Sequence, residues 1–176
     1  MTVEEFDQWI VQQEDNYEYV GGEISSILAS HHASCIAATT LLFIGQFVMK
    51  YRLGRVTGAA GGYKIASERY MPDVAFISYA KQPNTSTEPF LSNTPNLAIE
   101  VISNLDISQE QKRLRIKLTN YLLEGVTVWV INPETQQVEI HRNDHPVEII
   151  GKTGIIHGYD VLPNFELAVK DIFEEE

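Results

Sequence analysis

The sequence has one cysteine, no long uninterrupted apolar run and few basic residues. Cys35 alone excludes an internal disulfide and any zinc site built from several cysteines. The longest apolar stretch, 36–49, is interrupted by two threonines, a glycine and a glutamine. It is shorter than the run of about 20 apolar residues that spans a bilayer. The acidic N-terminus lacks the basic start and apolar core of a secretory signal, so we expect a cytoplasmic protein with no membrane partner.

Basic residues are outnumbered, with 13 Lys and Arg against 24 Asp and Glu and a net charge of −11. Proteins that bind nucleic acid by neutralising phosphates are usually basic on at least one face. The composition therefore argues against tight, unaided binding to long DNA. Chemistry on a phosphate stays compatible with it, because a bound divalent cation reverses the local sign of charge.

The 176 residues, 44% of them hydrophobic, fit one domain spanning 1–176 without repeats or linkers. Helices and strands are predicted in alternation, which favours an α/β fold with a mixed sheet. The predicted elements are a first helix capped by Thr2 and Glu5, a hairpin in 17–29, a helix 31–51 capped by Ser30, strands 74–78 and 97–102, a helix 108–124 opened by Ser108, and a hairpin of 126–131 with 137–141. Residues 58–62 are predicted to turn, residues 81–95 to form a surface loop, and Cys35 to be a buried thiol.

Glu100 interrupts the apolar run 97–102, which is typical of a central strand covered on both faces. A carboxylate in such a strand loses water and needs a cation, a basic partner or a raised pKa. The alternatives are that Glu100 lies at an exposed edge or makes a purely structural ion pair.

Asp73 follows Pro72 and directly precedes the apolar strand 74–78. An acid at a strand end of an α/β domain is well placed for a site, although such positions are also ordinary turn positions. Together with Glu100 on a neighbouring strand, Asp73 could supply oxygen ligands to Mg²⁺ or Mn²⁺.

Lys117 borders the apolar stripe of the helix 108–124, three residues after Leu114 and four before Tyr121. This position could bring its ammonium beside Glu100. The alternative is that Lys117 forms a solvated face together with Lys112, Arg113 and Arg115. The neighbouring cations Lys112 and Arg115 are predicted to point to solvent.

These residues resemble the putative restriction endonuclease family related to the PD-(D/E)XK nucleases. The matching segments are Pro72-Asp73, Glu100-Val101-Ile102-Ser103, Lys117 ahead of Asn120-Tyr121, Gly125-Val126, 129–133, and the terminal segments 17–23 and 162–167. The resemblance implies a restriction endonuclease-like three-layer core, with a central mixed sheet between helices and additional hairpins.

The resemblance also implies site roles. Asp73 and Glu100 would hold Mg²⁺, with Mn²⁺ as a substitute, and Lys117 would assist the attacking water or the scissile phosphate. Glu18 matches an early acidic position of the family, where it would complete the metal shell, and is a further catalytic candidate. His32 matches a histidine often seen after the first hairpin, and a structural role at a helix start is an equal alternative.

The sequence departs from the family pattern at three positions, one of which is Ser103-Asn104, where the family has Ser-Pro. The ordinary motif places the lysine two residues after the acid, where this chain has Ile102, so the lysine must come from the helix. Four residues before that lysine the family commonly has an acid, and this chain has Arg113. These departures bear on the rate of catalysis more than on the fold.

The sequence thus predicts a metal-dependent endonuclease that hydrolyses DNA phosphodiesters, with a homodimer as a possible assembly. A rival is a weak or inactive nuclease-fold module that associates with protein or nucleic acid, which the acidic charge and the motif departures favour. A glycosidase using the two carboxylates is remote, because no aromatic sugar platform accompanies them.

Overall fold

The computed structural model describes residues 1–103 and 107–173, within which it contains four helices and thirteen strands. The helices are α1 (Val3–Ile10), α2 (His31–Tyr51), α3 (Ile107–Leu123) and α4 (Val169–Phe173). The strands are β1 (Tyr17–Val20), β2 (Glu23–Ser26), β3 (Gly54–Gly58), β4 (Gly62–Ile65), β5 (Glu68–Tyr70), β6 (Val74–Ser78), β7 (Phe90–Leu91), β8 (Leu97–Val101), β9 (Thr127–Asn132), β10 (Gln137–His141), β11 (Glu148–Ile150), β12 (Ile155–His157) and β13 (Glu166–Ala168).

The central sheet has six strands in the order β11-β10-β9-β8-β6-β3. β8 and β9 are parallel, and the other neighbouring pairs are antiparallel. Parallel neighbours need a crossover connection, and α3 supplies it between β8 and β9. The sheet is therefore mixed, as the sequence predicted.

Helices and a second sheet cover the two faces of the central sheet. On one face, α2 and α4 pack through residues such as Ile44 and Ile172. On the other face lie α3 and the second sheet, of order β2-β1-β5-β4-β7, with Tyr121 and Tyr63 in the shared core. Burial of both faces produces the three-layer core that was expected.

β8 shows how this arrangement places a carboxyl group inside the fold. Its side chains alternate between the faces, so Ile99 belongs to the core under α2 and Ala98 to the core under α3. Glu100 follows the same alternation and points to the α3 side. β8 lies between β9 and β6, which confirms the predicted central, doubly covered strand.

Several predicted boundaries are confirmed. Thr2 and Glu5 form a reciprocal capping box at α1, and Ser30 caps α2 by accepting from the Ala33 amide. The hairpins β1–β2 and β9–β10 pair antiparallel. The prediction for Ser108 is wrong by one residue, because α3 begins at Ile107 and Ser108 lies inside its first turn.

Other expectations are corrected. β3, β4 and β5 were not predicted, and β7 lies inside the segment 81–95 that was expected to be only a loop. β3, β4 and β5 are short and rich in glycine or polar residues, and β7 has two residues, so local pattern identifies these strands poorly. β4 pairs with the adjacent β5, whereas β1 and β7, which pair with β5 and β4, are distant in the chain. Cys35 was expected to be buried and is exposed, with its Sγ 3.7 Å from His31 Nδ1.

α2 is the one described helix that is long and apolar enough to cross a membrane by length and composition. Buried core helices of globular domains pass the same criterion. α2 packs through Ile36, Ile44 and Val48 against the central sheet, whereas Leu42 and Met49 face outward and are exposed.

Candidate active site

A pocket opens on the α3 side of the central sheet, near the end of β8. The β1–β2 hairpin and the segment that follows it form one wall, and the first half of α3 forms the other. Its charged lining residues are Glu18, Asp73, Glu100, Glu110, Arg113 and Lys117. Four of these six were singled out from the sequence as catalytic candidates.

The pairing of β6 with β8 brings Asp73 and Glu100 together. The register sets Val74 opposite Ile99, and one further step sets Asp73 opposite Glu100. Directly opposed residues of an antiparallel pair have Cβ atoms about 5 Å apart. Asp73 Oδ2 also accepts a 2.7 Å hydrogen bond from the Val101 amide. Both carboxyl groups thus face one pocket from neighbouring strands.

Lys117 is buried between two carboxylates. Its Nζ donates to Glu100 Oε2 at 2.7 Å and to Glu18 Oε1 at 2.8 Å, and it lies 5.5 Å from the centre of the Tyr70 ring. The aromatic face adds a cation–π contact to the two ion pairs. The prediction that Lys117 borders the buried face is confirmed, and Lys112 and Arg115 are exposed as expected.

Glu18 reaches the pocket from β1, where alternation turns its side chain inward. Its Oε1 accepts from the Met71 amide at 2.6 Å as well as from Lys117. Two donors on one oxygen fix this carboxylate beside the ammonium. Its observed contacts are therefore those of a counter-ion that orients Lys117.

Tyr121 holds the other oxygen of Glu100, because its hydroxyl donates to Glu100 Oε1 at 3.0 Å. The residue lies four positions after Lys117, so one face of α3 supplies both partners of Glu100. From the sequence, Tyr121 is assigned only to the apolar stripe of α3. The signal that could have revealed its second role is its hydroxyl, which needs a partner when the ring is buried.

Burial makes this cluster electrostatically demanding. Loss of water raises the pKa of Glu100 to about 8. The Lys117 ammonium lowers this pKa by stabilising the ionised carboxylate, whereas the negative charges of Glu18 and Asp73 raise it further. Burial also raises the pKa of Asp73, although the Val101 amide opposes that shift. For Lys117, burial alone would lower the pKa, but Glu100 and Glu18 outweigh it and the pKa is raised. The pocket accordingly has more negative charge than its lysine balances.

This donor set fits a hard divalent cation. Mg²⁺ usually binds one or two carboxylates and completes its shell with water and substrate phosphate oxygens. Asp73 and Glu100 supply that number of carboxylates, and a cation between them would favour their ionised forms. Among the described residues, no three His, Cys, Asp or Glu side chains are grouped to hold a metal by themselves. Any such ion would therefore depend on solvent or substrate ligands.

His32 lies elsewhere. It is exposed in the first turn of α2 and is not among the residues that line the pocket. Its supporting role stays a prediction for which this geometry gives no contact.

Glu110 and Arg113 line the pocket but were not proposed as site residues. Glu110 Oε1 accepts from the amide and the hydroxyl of Ser103, at 2.7 and 2.9 Å. It thereby ties the start of α3 to the residues that follow β8. The helical spacing of 110, 113 and 117 is the signal that could have placed all three on one face.

The three-layer mixed sheet and its acid–lysine pocket define a protein of the restriction endonuclease-like fold class. The chain is similar in fold to the crystal structure of a "putative nuclease belonging to DUF820" from Anabaena variabilis ATCC 29413. The two are 20% identical, with a TM-score of 0.84 over 98% of this chain and 97% of the other.

The family model described as "Uma2: Putative restriction endonuclease" matches residues 3–170. The chain therefore belongs to the Uma2 family, and this membership supports nuclease function. No curated protein matches the chain.

Proposed function

We propose that the protein is a Mg²⁺-dependent endonuclease that hydrolyses DNA phosphodiesters in the pocket of Asp73, Glu100 and Lys117. One observation carries the proposal. Two carboxyl groups from neighbouring strands and a buried lysine from the crossover helix face the same pocket. Membership of a family of putative restriction endonucleases agrees with this chemistry.

Asp73 and Glu100 are the residues that would hold the cation. The ion held there would supply Lewis-acid chemistry, polarising a phosphoryl oxygen and lowering the pKa of a water molecule. Asp73 is held in place by the Val101 amide, and Glu100 by Tyr121 and Lys117. Carboxylates fixed in this way keep their geometry when a substrate enters, which preserves the alignment that catalysis requires.

Lys117 would act on the phosphate. An ammonium has three N–H donors, and the carboxylates of Glu18 and Glu100 occupy two of them. The third could donate to a phosphate oxygen as negative charge develops there. The carboxylates of Glu100 and Glu18 raise the pKa of the lysine, which favours the charged form that stabilises negative charge on the phosphate.

The acidic charge of the chain limits the DNA contact that this site can make. With a net charge of −11, attraction to DNA would come from the cation and the few basic side chains near the pocket. We therefore expect the DNA segment that the site binds to be short. A two-fold dimer would present two such pockets to the two strands of a duplex.

Plasmid cleavage tests the proposal. We expect nicking or linearisation with Mg²⁺ or Mn²⁺ and none with EDTA. Asp73→Asn, Glu100→Gln and Lys117→Met should each lower the rate at least about 100-fold. The first two variants remove a ligand of the cation, and the third removes positive charge at the reacting phosphate. Glu134→Gln and Lys152→Met are matched controls, since both residues are exposed and outside the pocket.

A folded protein whose cleavage persists in all three pocket variants would contradict the assignment. The rival hypothesis is a catalytically weak or inactive module. Calorimetric titration with Mn²⁺ distinguishes this module from the endonuclease. Binding that disappears in Glu100→Gln supports the enzyme. The absence of binding by the unaltered protein supports the module.

A further inference from the structure

Arg113 is a cation in the pocket wall whose guanidinium has no partner in the described part of the chain. It is half-buried on α3 and lines the pocket beside Lys117. Neither a hydrogen bond nor an ion pair engages its side chain within residues 1–103 and 107–173. Its neighbour Lys112, by contrast, pairs with Glu23 at 3.0 Å on the surface.

The position of Arg113 on the helix directs it toward the site. It precedes Lys117 by four residues, so the two side chains lie on the same face about one turn, or roughly 5.4 Å, apart. Lys117 is buried between its two carboxylates, whereas Arg113 is half-buried. A DNA strand whose reacting phosphate contacts Lys117 would therefore also pass close to Arg113.

The charge balance of the pocket makes Arg113 distinctive. Its described lining contains four carboxyl groups and two cations, of which Lys117 is committed to Glu18 and Glu100. Arg113 is then the cationic lining residue with all its donors available. A guanidinium binds two phosphate oxygens at once through parallel N–H groups, and it stays charged at every physiological pH.

We propose that Arg113 binds a non-reacting phosphate of the substrate strand, adjacent to the phosphate being cleaved, and so sets the register of the strand in the pocket. This inference rests on the proposed function. It makes the preferred substrate a polynucleotide segment, because an isolated phosphodiester has no neighbouring phosphate for Arg113 to hold.

The experiment compares two substrates. One is a short duplex oligonucleotide, and the other is bis(p-nitrophenyl) phosphate, a diester with a single phosphate. For Arg113→Gln we expect KM for the oligonucleotide to rise about tenfold with a smaller change in kcat, since the lost contact is made before and during reaction. The loss in kcat/KM should be about tenfold larger on the oligonucleotide than on the single diester.

Two further variants sharpen the result. Arg115→Gln removes the same charge two residues away on an exposed face of α3, and we expect it to match the unaltered protein on both substrates. Arg113→Lys keeps the charge but loses the two-pronged donor, so its KM should lie between those of the other proteins. Thermal melting of each variant checks the fold.

The outcomes separate the two proposals. Equal kinetics for Arg113→Gln and Arg115→Gln would overturn the role of Arg113 and leave the nuclease site standing. Equal losses on both substrates would also overturn it, because the effect would not depend on a neighbouring phosphate. Failure of the unaltered protein to cleave either substrate with Mg²⁺ or Mn²⁺ would overturn both.

Discussion

At the scale of single residues, the organising feature is a carboxyl group inside a covered sheet. Glu100 has Lys117 on one oxygen and Tyr121 on the other, and Asp73 faces it from the next strand. Removal of one partner from such a buried pair costs about 3–5 kcal/mol, because the remaining charge is left without compensation. Replacement of the whole cluster by apolar residues would often stabilise a fold. We infer that the cluster serves chemistry at the expense of stability.

The raised pKa of Glu100 makes a prediction about stability without metal. Between the ordinary pKa of about 4.5 and the folded value of about 8, the folded protein binds more protons than the unfolded chain. Stability must then fall as pH rises through this window. In EDTA, the unfolding free energy of the unaltered protein should decline from pH 5 to pH 8 relative to that of Glu100→Gln, which has no proton to lose. Urea titrations at several pH values measure this difference, and parallel profiles would contradict it.

The site residues that could be predicted from the sequence are those that interrupt or border a local apolar pattern. Glu100 interrupts an apolar strand, and Lys117 borders an apolar helical stripe, so both could be selected without a structure. Glu18 was found only through a family resemblance, because nothing in 17–20 distinguishes it from a surface acid. Arg113 was not selected, although its spacing of four residues from Lys117 places both side chains on one face of α3. That this face lines the pocket depends on how α3 rotates against the sheet.

At the scale of elements, α3 connects the fold to the site. It is the crossover between the parallel strands β8 and β9, and it supplies Lys117 and Tyr121 to Glu100. Buried Glu68 joins α3 to the β1–β2 hairpin, since it accepts from Asn120 Nδ2 at 3.1 Å and from the Gly21 amide. The element that carries Lys117 is thereby fixed to the element that carries Glu18.

The end of α3 offers a test at this scale. Gly125 has φ +71°, the left-handed conformation that terminates helices, and a Cβ added there would meet no atom within 4 Å. Gly125→Ala should therefore cost about 1 kcal/mol from backbone conformation alone, and Gly125→Asn should cost less. Urea denaturation measures both. Equal stability of the alanine variant and the unaltered protein would show that this backbone position carries no strain.

At the scale of the whole molecule, the sequence predicted the central sheet and its long covering helices better than the short strands of the second sheet. Long periodic or continuously apolar segments such as α2 and β8 were found with nearly correct bounds. The second sheet was mostly missed, because β4, β5 and β7 have two to four residues each. β4 pairs with the adjacent β5, but β1 and β7, which join this hairpin to the rest of the sheet, are far away in the chain. That sheet nevertheless forms part of the cover over the site, so the missed elements are the ones that bury it.

The charge of the molecule connects this architecture to its proposed activity. The net charge of the chain is −11, and its pocket is lined by four carboxyl groups, by the lysine that pairs with two of them, and by one arginine that has no partner among the described residues. Such a pocket should take up a divalent cation before it takes up a phosphate. Cation binding is therefore the property on which the nuclease proposal depends.

Anomalous diffraction from a crystal soaked with Mn²⁺ tests this property most directly. We predict one strong peak between the carboxyl groups of Asp73 and Glu100, within ligand distance of both, and its loss in Glu100→Gln. A map with no peak in this pocket, or with the ion bound only at surface carboxylates, would contradict the account.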